Sequence, residues 1–244
     1  MLKGKKIVLG VTGGIAVYKA VDLVSRLRKQ GAQVRVVMTE HAQQFVTPLT
    51  FKEISGNQVA VSMWSANQEF NVEHISLANW ADVFLVAPAT ANILAKMAYG
   101  LADDLLSTTL LASPAPIIVC PAMNTNMYLN PATTENIAKL ESRGVTVMPP
   151  AVGMLACGTS GPGRLPEPQQ IVEFVSAFFA RREGDMRGLK VLVTAAGTRE
   201  PIDPVRFVGN RSSGKMGYAV AQMAAERGAE VLLISGPSAL SIPA

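Results

Sequence analysis

Residues Ile117 to Tyr128 read Ile-Ile-Val-Cys-Pro-Ala-Met-Asn-Thr-Asn-Met-Tyr. The stretch begins as a short apolar, partly β-branched run, the composition of a strand buried on both faces of a parallel sheet. Pro121 stops the run, because proline has no ladder N–H. The turn that follows is polar yet carries Met123 and Met127, an uncommon mixture for a plain surface turn. In open α/β sheets ligands gather at the carboxyl ends of strands, which puts Asn124 where a substrate would stand.

Outward from this strand the same alternation repeats. Lys6 to Thr12 reads as a buried first strand, followed by Gly13-Gly14 and a helix to about Gln30. Ala20, Leu23, Val24 and Leu27 share one face of that helix, and Gly31 is its stop. Gln33 to Met38 is a second strand ending at Thr39. Thr47 to Ile54 is a short helix opening on a Thr-Pro cap. Residues 55–73 show no regular pattern. Asp82 to Ala87 is a third strand, and Thr90 to Tyr99 and Asp103 to Ala112 are helical on either side of Gly100. Asn130-Pro131 opens a helix ending near Gly144, and Val145 to Met148 is a further strand. Gly153 to Arg164 reads as a loop holding four glycines, and Pro168 to Arg181 as a last helix.

This spacing predicts an α/β fold with a doubly wound, Rossmann-like parallel sheet over residues 1–181. Residues 182–188 are polar and glycine-containing, a linker. The pattern then restarts over 189–244: a strand at Lys190 to Ala195, a helix at Lys215 to Arg227 and a strand at Glu230 to Ser235. That reads as the start of a second Rossmann-like unit, too small to bury both faces of a parallel sheet by itself.

The 244 residues are 49% hydrophobic and 16% charged, enough apolar content for a sizeable core and too little charge for global disorder. The formal charge of +4 is scattered, which suits an anionic small molecule and not nucleic acid. Two cysteines, Cys120 and Cys157, are too few for a disulfide framework and fit a reduced compartment. No apolar stretch is long enough for a signal peptide or membrane span, so a cytoplasmic, membrane-free protein is expected.

Several stretches carry candidate chemistry. Val11 to Ala16 joins the first strand to the first helix, and its glycines let backbone N–H groups approach a phosphate. The alternative there is a tight turn with no ligand. The spacing is not Gly-x-Gly-x-x-Gly, which disfavours NAD. Thr39 suits a phosphate oxygen, while Glu40 beside it keeps a ribose contact open. Pro88, Thr90, Ala91 and Asn92 leave the third strand at another carboxyl end, suggesting a mononucleotide cradled across neighbouring strand ends. A polar helix cap has the same composition. His74 is either a proton acceptor or a helix-terminal surface histidine. Cys157, in the glycine-rich loop, is either a proton donor or a small apolar filler, and Cys120 reads as filler. Gly197 to Gly217 is long and basic for a crossover, with Ser212-Ser213-Gly214 at a helix start near Arg206, Arg211 and Lys215. It reads as an anion site, or else as a surface insertion.

Together these stretches resemble the bifunctional phosphopantothenoylcysteine decarboxylase/phosphopantothenate–cysteine ligases of coenzyme A synthesis, whose first half belongs to the flavin-dependent cysteine decarboxylases. The resemblance rests on Gly13-Gly14-Ile15-Ala16, His74, Pro121-Ala-Met-Asn-x-x-Met127 and Gly153-x-Leu-Ala-Cys157, four separated motifs in one order. It implies FMN held by residues 13–16, Thr39, Pro88, Thr90, Ala91, Asn92 and Met123, at an interface of a trimer or a dodecamer of trimers. It further implies His74 as base, Asn124 on the substrate carboxylate, Met127 and Ala156 in the substrate pocket, and Cys157 as proton donor. No metal is implied for that half. The implied reaction converts 4′-phospho-N-pantothenoylcysteine to 4′-phosphopantetheine through a thioaldehyde and an enethiol.

Arg206 and Asn210 match positions that handle the ligase's acyl-cytidylate. The ligase half looks incomplete, with most of its CTP and magnesium site not represented, so no ligase activity is expected. Peptidyl-cysteine decarboxylases, a pyridine-nucleotide reductase and an FMN-binding regulatory subunit are the competing readings. Cys157 in its glycine-rich loop argues against the first, the missing dinucleotide fingerprint against the second, and the joint presence of His74, Asn124 and Cys157 against the third.

Overall fold

The computed structural model describes residues 2–64, 73–154, 158 and 160–242. By compactness the chain divides after Phe174 into two units.

In the first unit the elements run β1 (Lys6–Val11), α1 (Val17–Lys29), β2 (Gln33–Met38), α2 (Glu40–Gln43), α3 (Pro48–Ser55), β3 (Val59–Ala60) and α4 (Glu73–Trp80). They continue with β4 (Val83–Ala89), α5 (Ala91–Tyr99), α6 (Leu105–Ala112), β5 (Ile117–Pro121), α7 (Thr125–Tyr128), α8 (Pro131–Ser142) and β6 (Thr146–Val147). A pair, β7 (Ala151–Met154) and β8 (Ser160–Arg164), precedes α9 (Pro168–Glu183), the helix within which the division falls.

Six strands form one parallel sheet in the order β3-β2-β1-β4-β5-β6. The order reverses between β1 and β4, and the crevice outside their carboxyl ends is the ligand position of such sheets. Side chains alternate across the sheet, so Val8, Val37, Phe84, Val86 and Val119 pack with Leu77, Leu94, Leu106 and Leu140 of α4, α5, α6 and α8. The other face takes α1 and α3. All four apolar residues expected on the inner face of α1 are buried, and so is Lys19.

Three expectations for the first unit need correction. The strand expected to end at Ala87 continues as β4 through Pro88 to Ala89. Proline is accommodated because the pairing with β5 shifts register between Val86 and Ala89, and the Pro88 carbonyl accepts from the Thr12 hydroxyl instead. Of the glycine-rich stretch expected as a loop over 153–164, the described residues Gly153–Met154 and Ser160–Arg164 are not a plain loop but belong to the antiparallel pair β7–β8. Glycine there serves close packing: a Cβ on Gly161 would lie 2.7 Å from Thr125 Oγ1, and one on Gly163 2.3 Å from the Met123 carbonyl oxygen. Within the stretch expected to be irregular, Val59–Ala60 adds an edge strand to β2.

The second unit holds β9 (Lys190–Ala195), β10 (Arg199–Pro201), β11 (Phe207–Gly209), α10 (Lys215–Glu226) and β12 (Glu230–Ser235). β9 and β12 pair in parallel with α10 packed on them. The long crossover, expected as a loop, folds back on itself as the antiparallel ribbon β10–β11.

Candidate functional site

A cavity of about 630 Å³ opens at the switch point, a size typical of cofactor sites. Three segments far apart in sequence wall it: Gly13 to Ala16 after β1, Pro88, Thr90 and Ala91 at the end of β4 and just beyond it, and Ala122, Met123, Asn124 and Met127 after β5. Tyr18 and Lys19 of α1, Met154 of β7, Gly163 and Arg164 of β8, and Leu165 complete it.

One buried hydroxyl joins two of these segments. Thr12 Oγ1 donates to the Pro88 carbonyl at 2.7 Å and accepts from the Thr90 amide at 3.1 Å. Thr90 in turn caps α5, its hydroxyl accepting from the Ile93 amide. The glycines of the first loop differ in purpose. A Cβ on Gly13 would sit 2.4 Å from His41 Cβ, so α2 itself demands glycine there. A Cβ on Gly14 would meet only Thr90 Cγ2, at 3.8 Å. Among the described residues, none of the amides of Gly13, Gly14, Ile15 and Ala16 donates to a backbone carbonyl. They precede the first turn of α1, where unsatisfied N–H groups and the helix dipole favour an anion.

Asn124 caps α7: its Oδ1 accepts from the Asn126 amide at 2.8 Å, which fixes the side chain beside the cavity while Asn126 is exposed. The Met123 amide donates to the Gly163 carbonyl at 2.9 Å, so β8 lies directly against this turn. Just past that same end of β8, buried Lys19 donates from Nζ to Glu167 Oε1 at 2.8 Å and to the Leu165 carbonyl at 3.2 Å. Arg164 donates to the same Oε1 at 2.7 Å. The Lys19 bond, opposed by a smaller burial effect and joined by Arg164, holds the Glu167 carboxyl below its ordinary range.

Ten of the candidate residues thus wall one cavity: Gly13, Gly14, Ile15, Ala16, Pro88, Thr90, Ala91, Met123, Asn124 and Met127. Thr39, Asn92 and His74 do not line it. Thr39 caps α2, its hydroxyl accepting from the Ala42 amide, and Asn92 is exposed in the first turn of α5. His74 is half-buried on α4. Ala156 and Cys157 lie outside the described residues, between β7 and β8 in sequence. Arg206 and Asn210 belong to the second unit. Arg206 is paired with Asp203 at the tip of the β10–β11 ribbon, and Asn210 lies against Gly197. Sequence reasoning missed Tyr18, Lys19, Ala122, Met154, Gly163, Arg164 and Leu165. Lys19 alone had a signal, a single cation on an otherwise apolar helix face.

Residues 1–180 match the family model described as flavoprotein. The chain belongs to the flavoprotein family. Residues 186–244 of this flavoprotein match a second model, the DNA/pantothenate metabolism flavoprotein C-terminal domain. The flavoprotein is 52% identical over 242 residues to the coenzyme A biosynthesis bifunctional protein CoaBC of Vibrio vulnificus (strain YJ016), a match covering 99% of this chain and 60% of that one. It therefore spans about 60% of the length of that curated relative. Among solved structures, a PPC decarboxylase mutant complexed with pantothenoylaminoethenethiol is 34% identical with a TM-score of 0.65, covering 72% of this chain and 99% of that chain. The FMN binding protein AtHal3 is 34% identical with a TM-score of 0.63, covering 72% and 97%. Among the described residues no helix is long and apolar enough to cross a membrane.

Proposed function

We propose that the first unit binds FMN in the switch-point cavity and decarboxylates 4′-phospho-N-pantothenoylcysteine to 4′-phosphopantetheine. The observation that carries this reading is the convergence of the Gly13–Ala16, Pro88–Ala91 and Ala122–Met127 segments on one cavity. The cavity suits the cofactor: Ile15, Met123, Met127, Met154 and Leu165 offer an apolar slot for a planar ring, and the loop amides offer donors for its phosphate. Thr39, although it accepts from Ala42, keeps its own hydroxyl hydrogen to donate.

When bound, FMN would supply a two-electron oxidation at the thiol-bearing carbon, β to the carboxylate, and the reverse reduction after carbon dioxide leaves. The protein's part is to bind and to move protons. The Asn124 amide would hold the substrate carboxylate. Its neutrality matters, because an arginine there would stabilise the ground-state anion whose charge is lost as carbon dioxide departs. Met127 and Ala156 would shape the substrate pocket, and Pro88, Thr90, Ala91 and Met123 the cofactor side. His74 would take the thiol proton and Cys157 return one at the end.

A homo-oligomer, a trimer or a dodecamer of trimers, belongs to the same reading. Ile15, Tyr18, Met127 and Met154 are each at least half exposed at the cavity rim, and His74 is outside its lining, so a second copy would both cover the rim and bring a histidine. For the second unit we propose that Arg206 and Asn210 are part of a site for the CTP- and magnesium-dependent joining of cysteine to 4′-phosphopantothenate, with no ligase turnover expected from these residues by themselves. The test of the main reading is the visible spectrum followed by product analysis. A yellow protein that yields 4′-phosphopantetheine is expected, and a protein that cannot be loaded with FMN overturns the reading.

A further inference from the structure

We infer that Lys19 is a positioning residue for the cavity, fixing the β8 wall against the glycine-loop wall through Glu167. The inference rests on the flavin reading of that cavity.

The inner face of α1 is otherwise Val17, Ala20, Leu23, Val24 and Leu27, so an apolar residue at position 19 would pack without difficulty. A buried ammonium is costly unless paired, and its carboxylate partner Glu167 is half open to solvent, so the pair itself adds little stability. What it adds is direction. Lys19 Nζ reaches two acceptors two residues apart, the Leu165 carbonyl and Glu167 Oε1, and so defines where the segment after β8 lies along α1. An aliphatic side chain cannot specify that register.

The segment so held matters to the cavity. Gly163, Arg164 and Leu165 line it, as do Gly14 to Ala16 at the start of α1. A two-stranded pair such as β7–β8 is marginal by itself and takes its position from its anchors. Among the described residues its anchors include the Met123–Gly163 backbone bond, the packing of Gly161 on Thr125, and Lys19. Arg164 grips the same Glu167 oxygen from within the segment, which orients the carboxylate toward Lys19. Glu167 itself does not line the cavity, so any effect of changing it on a bound ligand must travel through this contact.

The test compares Lys19→Met, Glu167→Ala and the double variant, in the full chain, by FMN titration, visible circular dichroism of the bound flavin and thermal melting of the apoprotein. Each single variant should weaken FMN by about tenfold and alter the flavin dichroism, and the double variant should be no worse than either single one. Tighter FMN binding by Glu167→Ala would mean that Lys19 acts as a charge on the ligand, overturning the inference. Lower melting temperatures with unchanged affinity and dichroism would mean a merely structural pair, and would also overturn it. A parent protein that takes up no FMN defeats the flavin reading and this inference with it. Parental binding with an indifferent Glu167→Ala defeats this inference alone.

Discussion

Thr12 Oγ1 donates to the Pro88 carbonyl at 2.7 Å across 76 residues of chain, tying the end of β1 to the end of β4. The same oxygen accepts from the Thr90 amide, so one hydroxyl satisfies a buried carbonyl and an amide at the mouth of the cavity. Thr12→Val keeps the shape and strands both groups, at an expected cost of about 1–3 kcal/mol. Urea unfolding should show that loss together with weaker FMN binding, while Thr12→Ser stays near the parent.

Adjacent glycines should respond differently to the same methyl group. Gly13→Ala drives a Cβ to 2.4 Å from His41 Cβ, and the expected destabilisation is on the order of 2 kcal/mol. Gly14→Ala meets nothing closer than 3.8 Å and should melt within about 1 kcal/mol of the parent. Its methyl lies in a cavity wall, so FMN affinity should fall without loss of fold. Melting curves and flavin titrations on the two variants separate these outcomes.

The sheet and its switch point were legible because buried parallel strands are continuous apolar runs, and Ile7 to Val11, Val83 to Val86 and Ile117 to Cys120 are such runs. The convergence of the loops after Val11, Ala89 and Pro121 followed from topology. Residues brought in by packing were not legible: Met154, Gly163 and Leu165 reach the cavity only because β7–β8 folds over the Met123–Asn124 turn, and a segment with four glycines gives no strand signal. Pro88 misled for a related reason, since its place inside β4 depends on a hydroxyl 76 residues away.

The turn after α5 should carry an acid- and base-sensitive part of the stability. Lys96 Nζ bonds both Asp103 Oδ1 and Asp104 Oδ2. Burial pushes the Asp104 carboxyl up, but the Lys96 ammonium and the Ser107 amide and hydroxyl more than reverse this, leaving it below 3.8. Burial likewise lowers Lys96, and the two aspartates more than compensate, raising it above 10.5. A depressed carboxylate stabilises above its unfolded value and loses that stabilisation as pH falls through the folded one. A raised lysine stabilises below its unfolded value and loses it as pH rises through the folded one. The plateau therefore runs from about pH 4 to about pH 10. Lys96→Met should flatten both flanks of the urea midpoint against pH.

Cys120 is fully buried on β5, and burial pushes its thiol up to about 12. It should not react with a thiol reagent in the native protein at pH 8, and should do so on unfolding. Native titration should count at most one thiol of the two.

Asn124 Oδ1 is set by the Asn126 amide, a bond that uses the Asn126 backbone and not its side chain. Asn124→Ala should therefore abolish decarboxylation while FMN stays bound, and Asn126→Ala should retain most of the parental rate. The most direct measurement is to give the FMN-loaded protein 4′-phospho-N-pantothenoylcysteine and follow carbon dioxide and thiol product by mass spectrometry. The parent should release carbon dioxide and 4′-phosphopantetheine in equal amounts, and Asn124→Ala neither. A parent that holds FMN yet releases no carbon dioxide, or an Asn124→Ala variant that turns over normally, would contradict the account.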